Sequence, residues 1–343
     1  MYEKTKISRI RSLSFVVSMV VVVIIAVLIA VYTQVAFNRA YNALEDSAVE
    51  SIRNINSIIS DEIRELYHES EKKAAFLAKN PEIKTYLQNG DYQSLALILQ
   101  GFYEETGGLE NVFVSSAEKD TRILADGING RSVGTRWNHG EFSENVNRAL
   151  NGQKHISNND FSPVTKTGVF LVTEPVIIDG RPAAILGLAV DSGNAFQAFV
   201  ENVKILDRGY PFITRKDGLM LGHPNKDFLF KLDITDFDWG KTVMKSASDT
   251  IIRYLWSDGN KILHFLRDDK YGFMVMTSLY IDDIGARAQA MRRELWLLGL
   301  LALIISGVIV IIFVGRKLSP LQEASAGLNE IYLGNYSVRL HHK

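Results

Sequence analysis

The chain has 343 residues, 47% of them hydrophobic and 22% charged, with a formal net charge of -1 and no cysteine. That length holds one large or two modest domains with real cores. The near-neutral charge excludes nucleic acid as the main partner, because a polyanion requires a basic surface. The lack of cysteine excludes disulfides, thiolate metal sites and a cysteine nucleophile.

Residues 1–12 are short and basic, with Lys4, Lys6, Arg9 and Arg11. An apolar run over 13–36 follows, in which Val20 to Ile25 carry no polar side-chain atom. About twenty such residues, rising 1.5 Å each, cross a hydrocarbon core of roughly 30 Å. A cleaved signal peptide is the rival reading, but its apolar region would be only about 7–15 residues long and would end at an A-x-A-like site. This run is longer and ends in Tyr32-Thr33-Gln34. A second apolar run over 295–315 leads into Arg316 and Lys317. Positive flanks stay inside, so both termini are expected in the cytoplasm and 37–290 outside the cytoplasmic membrane.

Residues 37–79 read as one long helix. Apolar positions recur at Tyr41, Leu44, Ala48, Ile52, Ile55, Ile59, Ile63 and Leu66, with neither Gly nor Pro before Pro81. Steps of three and four make a nearly straight stripe. It packs on its own domain and, in its membrane-proximal half, is expected to pair two subunits into a homodimer.

From about residue 109 the texture changes to short strands. Asp126-Gly127, Asp179-Gly180, Asp217-Gly218 and Asp258-Gly259 punctuate them, and Asp-Gly tolerates the positive φ angles of tight hairpin turns. The clearest hairpin joins 169–178 to 183–190, and a second joins 251–256 to 261–266 with 271–279 as a third strand. Helices are expected over 142–150 and 193–203, and a further strand over 210–215. One order of strands, helix and hairpin occurs twice. The fold class is therefore α+β, with two antiparallel-sheet modules, 80–203 and 204–290, stacked on a long N-terminal helix and flanked by two transmembrane helices.

These residues resemble the double Cache family of extracytoplasmic sensors, whose modules are PAS-like. Phe142-Ser143-Glu144-Asn145-Val146-Asn147-Arg148-Ala149-Leu150-Asn151-Gly152, followed by Ile156-Ser157, is similar to the family's aromatic-helix-Ala-Leu-x-Gly-x-x-x-Ile-Ser stretch. Thr167-Gly168, Pro175 and Gly180 through Ala189-Val190-Asp191 continue it. Gly209-Tyr210-Pro211-Phe212-Ile213 and Asp217-Gly218-Leu219-Met220-Leu221-Gly222-His223-Pro224-Asn225 resemble the membrane-proximal signature. Leu318-Ser319-Pro320-Leu321, with a helix ending near Leu333-Gly334-Asn335, looks like the start of a HAMP linker over 316–343, Pro and Gly punctuating its ends.

The resemblance implies a small-molecule site in the membrane-distal module, at Arg136, Trp137, Asp160, Phe161 and Asp191. Arg would hold a carboxylate, Asp an ammonium, and the aromatic residues would exclude water. An amino acid, amine or carboxylate would suit such a set. Each residue has a structural alternative: Trp137 as core, Asp191 as a helix N-cap, Arg136 as a surface residue. The family's amino-acid-binding version separates its Arg and Trp by one residue, whereas Arg136 and Trp137 are adjacent, and its later Tyr-x-Asp is not met at 158–163. His139, His155, His223 and His264 lack metal-ligand spacing, and no cofactor, phosphate-binding loop or nucleophile–base pair is read.

The expected function is that of a transmembrane chemoreceptor, not an enzyme in these residues, which signals through the second span and HAMP to cytoplasmic proteins. The sensor portion of a histidine kinase or diguanylate cyclase is the alternative, and a non-signalling anchored binding protein a third.

Overall fold

The computed structural model describes residues 2–333, and the chain divides into two compact units, Met1–Ser47 with Ile284–Lys343, and Ala48–Asp283.

The first unit holds the N-terminal part of α1 (Tyr2–Ala78) and most of α7 (Ile281–Tyr332). Each contains a stretch long and apolar enough to cross a membrane, within Phe15–Ala78 and Ile281–Lys317, with a mean hydropathy of 3.2. Only 6% and 0% of these stretches are buried by the chain itself. Val23, Val27, Leu28, Leu301, Ile304 and Ile312 face outward, a continuous apolar surface that water does not tolerate on a soluble monomer. The two helices touch at Gly299, where a Cβ would come within 2.8 Å of Ile29, a small-residue contact of the kind that lets lipid-immersed helices approach. Helix α7 runs through Pro320, so 316–332 extends the apolar helix instead of opening a new one there. Pro320 removes one backbone bond without ending the helix. Gly334 and Asn335, read as the end of the linker helix, lie outside the described residues.

In the second unit α1 buries Ala48, Ile52, Ile59, Ile63, Tyr67, Ala74 and Leu77. From Ala48 onward the expected stripe is thus largely buried within the chain itself, and from Ile59 onward it joins the core shared with the sheets. Two short helices follow, α2 (Pro81–Asn89) and α3 (Tyr92–Glu105), whose first turns are capped by the Asn80 and Asp91 side chains.

The distal sheet contains β1 (Leu109–Ser116), β2 (Ile123–Asp126), β3 (His155–Ile156), β4 (Asp160–Phe161), β5 (Gly168–Ile178) and β6 (Arg181–Asp191), in the order β2-β1-β6-β5-β3 with β4 also on β5. Helix α4 (Ser143–Leu150) covers one face, and α5 (Ser192–Val200) leads to the next module. The proximal sheet contains β7 (Tyr210–Arg215), β8 (Met220–Gly222), β9 (Thr250–Trp256), β10 (Gly259–Asp268) and β11 (Phe273–Tyr280), in the order β8-β7-β11-β10-β9, with α6 (Asp238–Lys245) against it. The two orders match strand for strand, and every pairing is antiparallel. The repeat read in the sequence is a repeat of topology.

Alternation along each strand divides the apolar residues between two faces. Val112, Val114, Phe170 and Leu188 join Ile213, Phe273, Val275 and the helix residues Ile63 and Tyr67 in one core. Phe113, Trp137, Phe142 and Leu171 form a second core on the far face of the distal sheet, and Phe212, Leu263, Phe265 and Met276 a third on the far face of the proximal sheet.

Asp179 (φ 49) and Gly180 (φ 76) make the tight turn between β5 and β6. Asp126-Gly127 is not a hairpin turn, contrary to expectation. The Asp126 carboxylate accepts hydrogen bonds from the backbone of Ile128, Gly130 and Ser132 and from the Ser132 hydroxyl, so it organises the loop after β2. Gly127 is needed there for space: a Cβ would lie 2.8 Å from the Leu99 carbonyl oxygen.

Candidate ligand-binding site

Between the far face of the distal sheet and the loops that cover it lies a cavity of about 30 Å³. It is built from the start of β1. The register between β1 and β6 shifts between Leu109 and Asn111, so Glu110 is an extra residue on its strand. A bulge of this kind re-aims a side chain. Here it lets both Glu110 and Asn111 line the same cavity, together with Phe113, Trp137, Phe142 and Ser162.

The polar atoms among these walls are incompletely paired. Ser162 Oγ donates to Glu110 Oε1 at 2.9 Å, and burial raises the Glu110 carboxyl above the usual carboxylate range against the hydrogen bonds from Thr165 and Ser162. Asn111 Nδ2 donates to Ser132 Oγ at 3.0 Å, which ties the cavity to the Asp126 loop. Asn111 Oδ1 and Trp137 Nε1 are buried without a hydrogen-bond partner. Trp137 is 2% exposed and packs edge-on against Phe113 at 5.4 Å.

Of the five residues expected to bind, Trp137 alone lines this cavity. Adjacent residues of an extended segment point to opposite sides. With Trp137 inward, Arg136 therefore faces out, its guanidinium 3.0 Å from the exposed Asp120. Asp191 caps α5, accepting from Asn194 N at 3.0 Å and Asn194 Nδ2 at 2.6 Å. Asp160 accepts from the backbone of Phe161, and the Phe161 ring meets Phe230 of the proximal module at 4.7 Å. Glu110, Asn111 and Ser162 were not singled out from the sequence. The available signal was a Glu-Asn pair inside the otherwise apolar 109–114 stretch.

Two antiparallel sheets of matching order on one long helix, with apolar helices before and after, define a double-module α+β fold. Solved structures of that fold superpose on most of the chain. The sensory domain of the Campylobacter jejuni chemoreceptor Tlp3 (CcmL) aligns with a TM-score of 0.55 at 12% identity, covering 72% of this chain and 99% of its own. The ligand-binding domain of the Pseudomonas aeruginosa PAO1 amino acid chemoreceptor PctB, in complex with L-Arg, aligns at 0.52 and 13% identity over 68% and 95%. The extracellular domain assigned to the histidine kinase mmHK1S-Z2 aligns at 0.52 and 14% identity over 71% and 99%. At these identities the likeness is one of fold. No family model and no curated protein matches the sequence.

Proposed function

We propose that this chain senses a small extracellular molecule as part of a transmembrane receptor. In this reading 13–36 and 295–315 span the cytoplasmic membrane, and 37–290 is the external sensor, divided into the helix 37–79 and the modules 80–203 and 204–290. Residues 316–343 begin a HAMP-type linker to cytoplasmic signalling partners. The positive flanks at Lys4 to Arg11 and at Arg316-Lys317 support that orientation.

The observation that carries ligand sensing is the buried set of Glu110, Asn111 and Trp137. Buried polar atoms are normally paired, and an acceptor, a donor and a buried carboxyl converge here on one cavity. Glu110 and Asn111 Oδ1 suit a ligand's N–H groups, above all an ammonium, while Trp137 Nε1–H suits an acceptor. An amino acid or amine fits this pattern, and domains of the same fold have been solved with asparagine and with L-Arg. The cavity has room for about one water-sized group, so ligand entry requires the 162–167 turn to move outward. Arg136, Asp160, Phe161 and Asp191 would then act at the rim.

Chemoreceptor is the first reading of the output, supported by the chemoreceptor domains among the structural neighbours. Sensor kinase is the second, supported by the histidine-kinase domains among them.

Calorimetry on the full chain in lipid nanodiscs, with a panel of amino acids, amines and carboxylates, tests the site. Glu110→Gln is expected to weaken the bound ligand by roughly thirtyfold or more, as loss of a buried charged partner does. Wild-type affinity in that variant would place the site elsewhere. For topology, cysteines at the exposed positions Lys154 and Lys317 should differ in labelling by a membrane-impermeant thiol reagent on intact cells lacking an outer-membrane barrier.

A further inference from the structure

The far face of the proximal sheet carries a second concavity. An open groove of about 570 Å³ runs along β9 and α6, walled by Phe237, Trp239, Tyr254 and Trp256. Beneath it an inner cavity of about 30 Å³ reaches Tyr210 and His223, and Trp239, Tyr254 and Trp256 line both spaces. The Trp239 ring lies 4.9 Å from Tyr254 and 6.0 Å from Phe237, tilted by 31° and 20°, so a cluster of packed aromatic rings borders the groove.

The open groove carries Asp238, which pairs with Lys241 at 3.1 Å, and Arg253, whereas the inner cavity carries the nitrogens of His223 and Trp239 beside the Tyr210 and Tyr254 hydroxyls. Trp239 Nε1 is buried and has no hydrogen-bond partner, and the Trp239 side chain is shared by the inner cavity and the open groove. His223 Nδ1 accepts the Asn225 backbone N–H at 2.8 Å, which leaves the proton of the neutral ring on Nε2. Lys261, 1% exposed, stands on the same face of the sheet, its register partner on β9 being Tyr254. Its ammonium is 3.3 Å from the Tyr210 hydroxyl and 4.0 Å from Asp258 Oδ1. It also lies 4.2 Å from the centre of the Tyr280 ring, 5.1 Å from that of Tyr210 and 5.7 Å from that of Trp256. Burial lowers the Lys261 ammonium below the usual lysine range, against the pull of Asp258. Among the described residues, none that lines the inner cavity is acidic.

We propose that this groove is a second ligand site, specific for a small aromatic carboxylate. The ring lies against Trp239 and Tyr254, and the carboxylate points inward to Trp239 Nε1–H and His223 Nε2–H within the field of Lys261. Flat walls favour a flat ligand through offset stacking. A cation is disfavoured at the inner end, since the Lys261 ammonium already lies over the Tyr210 and Trp256 rings that line it. The site uses no residue of the distal cavity and goes beyond the sensing role proposed above.

The test is calorimetry on the full chain in nanodiscs with benzoate and indole-3-acetate, against benzamide as the uncharged isostere and choline as the cation. Saturable binding of a carboxylate is expected, with benzamide and choline each weaker by roughly tenfold or more, the worth of one charge-assisted contact. Trp239→Phe keeps the π-face and removes the donor, and Lys261→Met keeps the stem and removes the charge. Each is expected to weaken the carboxylate by roughly tenfold, while Glu110→Gln leaves it unchanged. Melting curves identify a variant that fails to fold, and Trp239→Phe, the milder change, then decides. The proposal is overturned if neither carboxylate binds at millimolar concentration, if choline or benzamide binds as well, or if folded Trp239→Phe retains wild-type affinity.

Discussion

Asn159 Nδ2 donates a hydrogen bond at 2.9 Å to the hydroxyl of Tyr67, a fully buried side chain on α1. The Tyr67 ring lies 4.1 Å from Phe170 of the distal sheet and is stacked at 4.4 Å on Tyr271 of the proximal module. One helix residue therefore touches both modules, and burial raises its phenol above the usual tyrosine range, against the Asn159 bond, which lowers it. Tyr67→Phe leaves the Asn159 amide without this acceptor and is expected to cost about 1–3 kcal/mol. Tyr67→Ala, which also opens a cavity between the modules, is expected to cost about 3–5 kcal/mol. Denaturant melts of the purified chain measure both, and equal stability of Tyr67→Phe and wild type would remove this contact from the interface's energetics.

The raised Glu110 carboxyl links ligand binding to pH. An acid whose folded pKa exceeds its unfolded value favours the folded state below the ordinary glutamate value, and that contribution is lost as pH rises through the raised value. Glu110→Gln should flatten this slope, so at neutral pH the variant melts at or above the wild-type temperature while its ligand affinity falls. An ammonium ligand should bind wild type less well as acid protonates Glu110. A neutral-pH melting temperature well below wild type would mark Glu110 as a structural residue.

His223 has the opposite sign. Burial lowers its imidazole from 6.5 to about 4, partly offset by the Asn225 backbone hydrogen bond. A base with a depressed folded pKa stabilises the fold above its unfolded value, and that stability is lost as pH falls toward the folded value. Between pH 6.5 and about 4 the wild type should lose about 3 kcal/mol through this group. His264, also lowered by burial against the pull of Asp249, acts in the same direction, so the comparison must be between variants. His223→Gln should shed its share of the acid sensitivity in pH-dependent melts, and an unchanged slope would show that the ring charges without penalty.

If the receptor is a homodimer joined along α1, the seam cannot be the stripe from Ala48 onward, because Ala48 is 6% exposed within its own subunit. Ile58, on the outer side of the helix, is 58% exposed. A cysteine at Ile58 is expected to cross-link under mild oxidation in membranes, and one at Ala48 is not. Cross-linking at Ala48 alone would reverse the assignment of faces.

Much of this architecture is decided locally and is therefore legible in the sequence. Two apolar runs of spanning length, the three-and-four stripe from Ala48 to Leu66, and the Asp179-Gly180 turn each follow from side-chain periodicity or backbone conformational preference. The long strands, the helices over 142–150 and 193–203 and the hairpins of both modules are local in the same sense, whereas α2, α3, α6 and the short β3, β4 and β8 carry too little periodicity to read. What covers the α1 stripe is not local, since an apolar face fits a sheet or a partner helix equally well. The site depends still more on tertiary register. Arg136 and Trp137 part company because adjacent residues of an extended chain face opposite ways, and only the packed loop decides which of them turns inward. Glu110 reaches the cavity through a bulge set by pairing with a strand some eighty residues further along, and Lys261 meets its three aromatic rings only once β9 and β11 lie beside β10 and β7 beside β11. Such long-range register leaves no periodic trace, so the sequence by itself determined the spans, the long helix and the main hairpins, and the tertiary structure decided which side chains share a cavity.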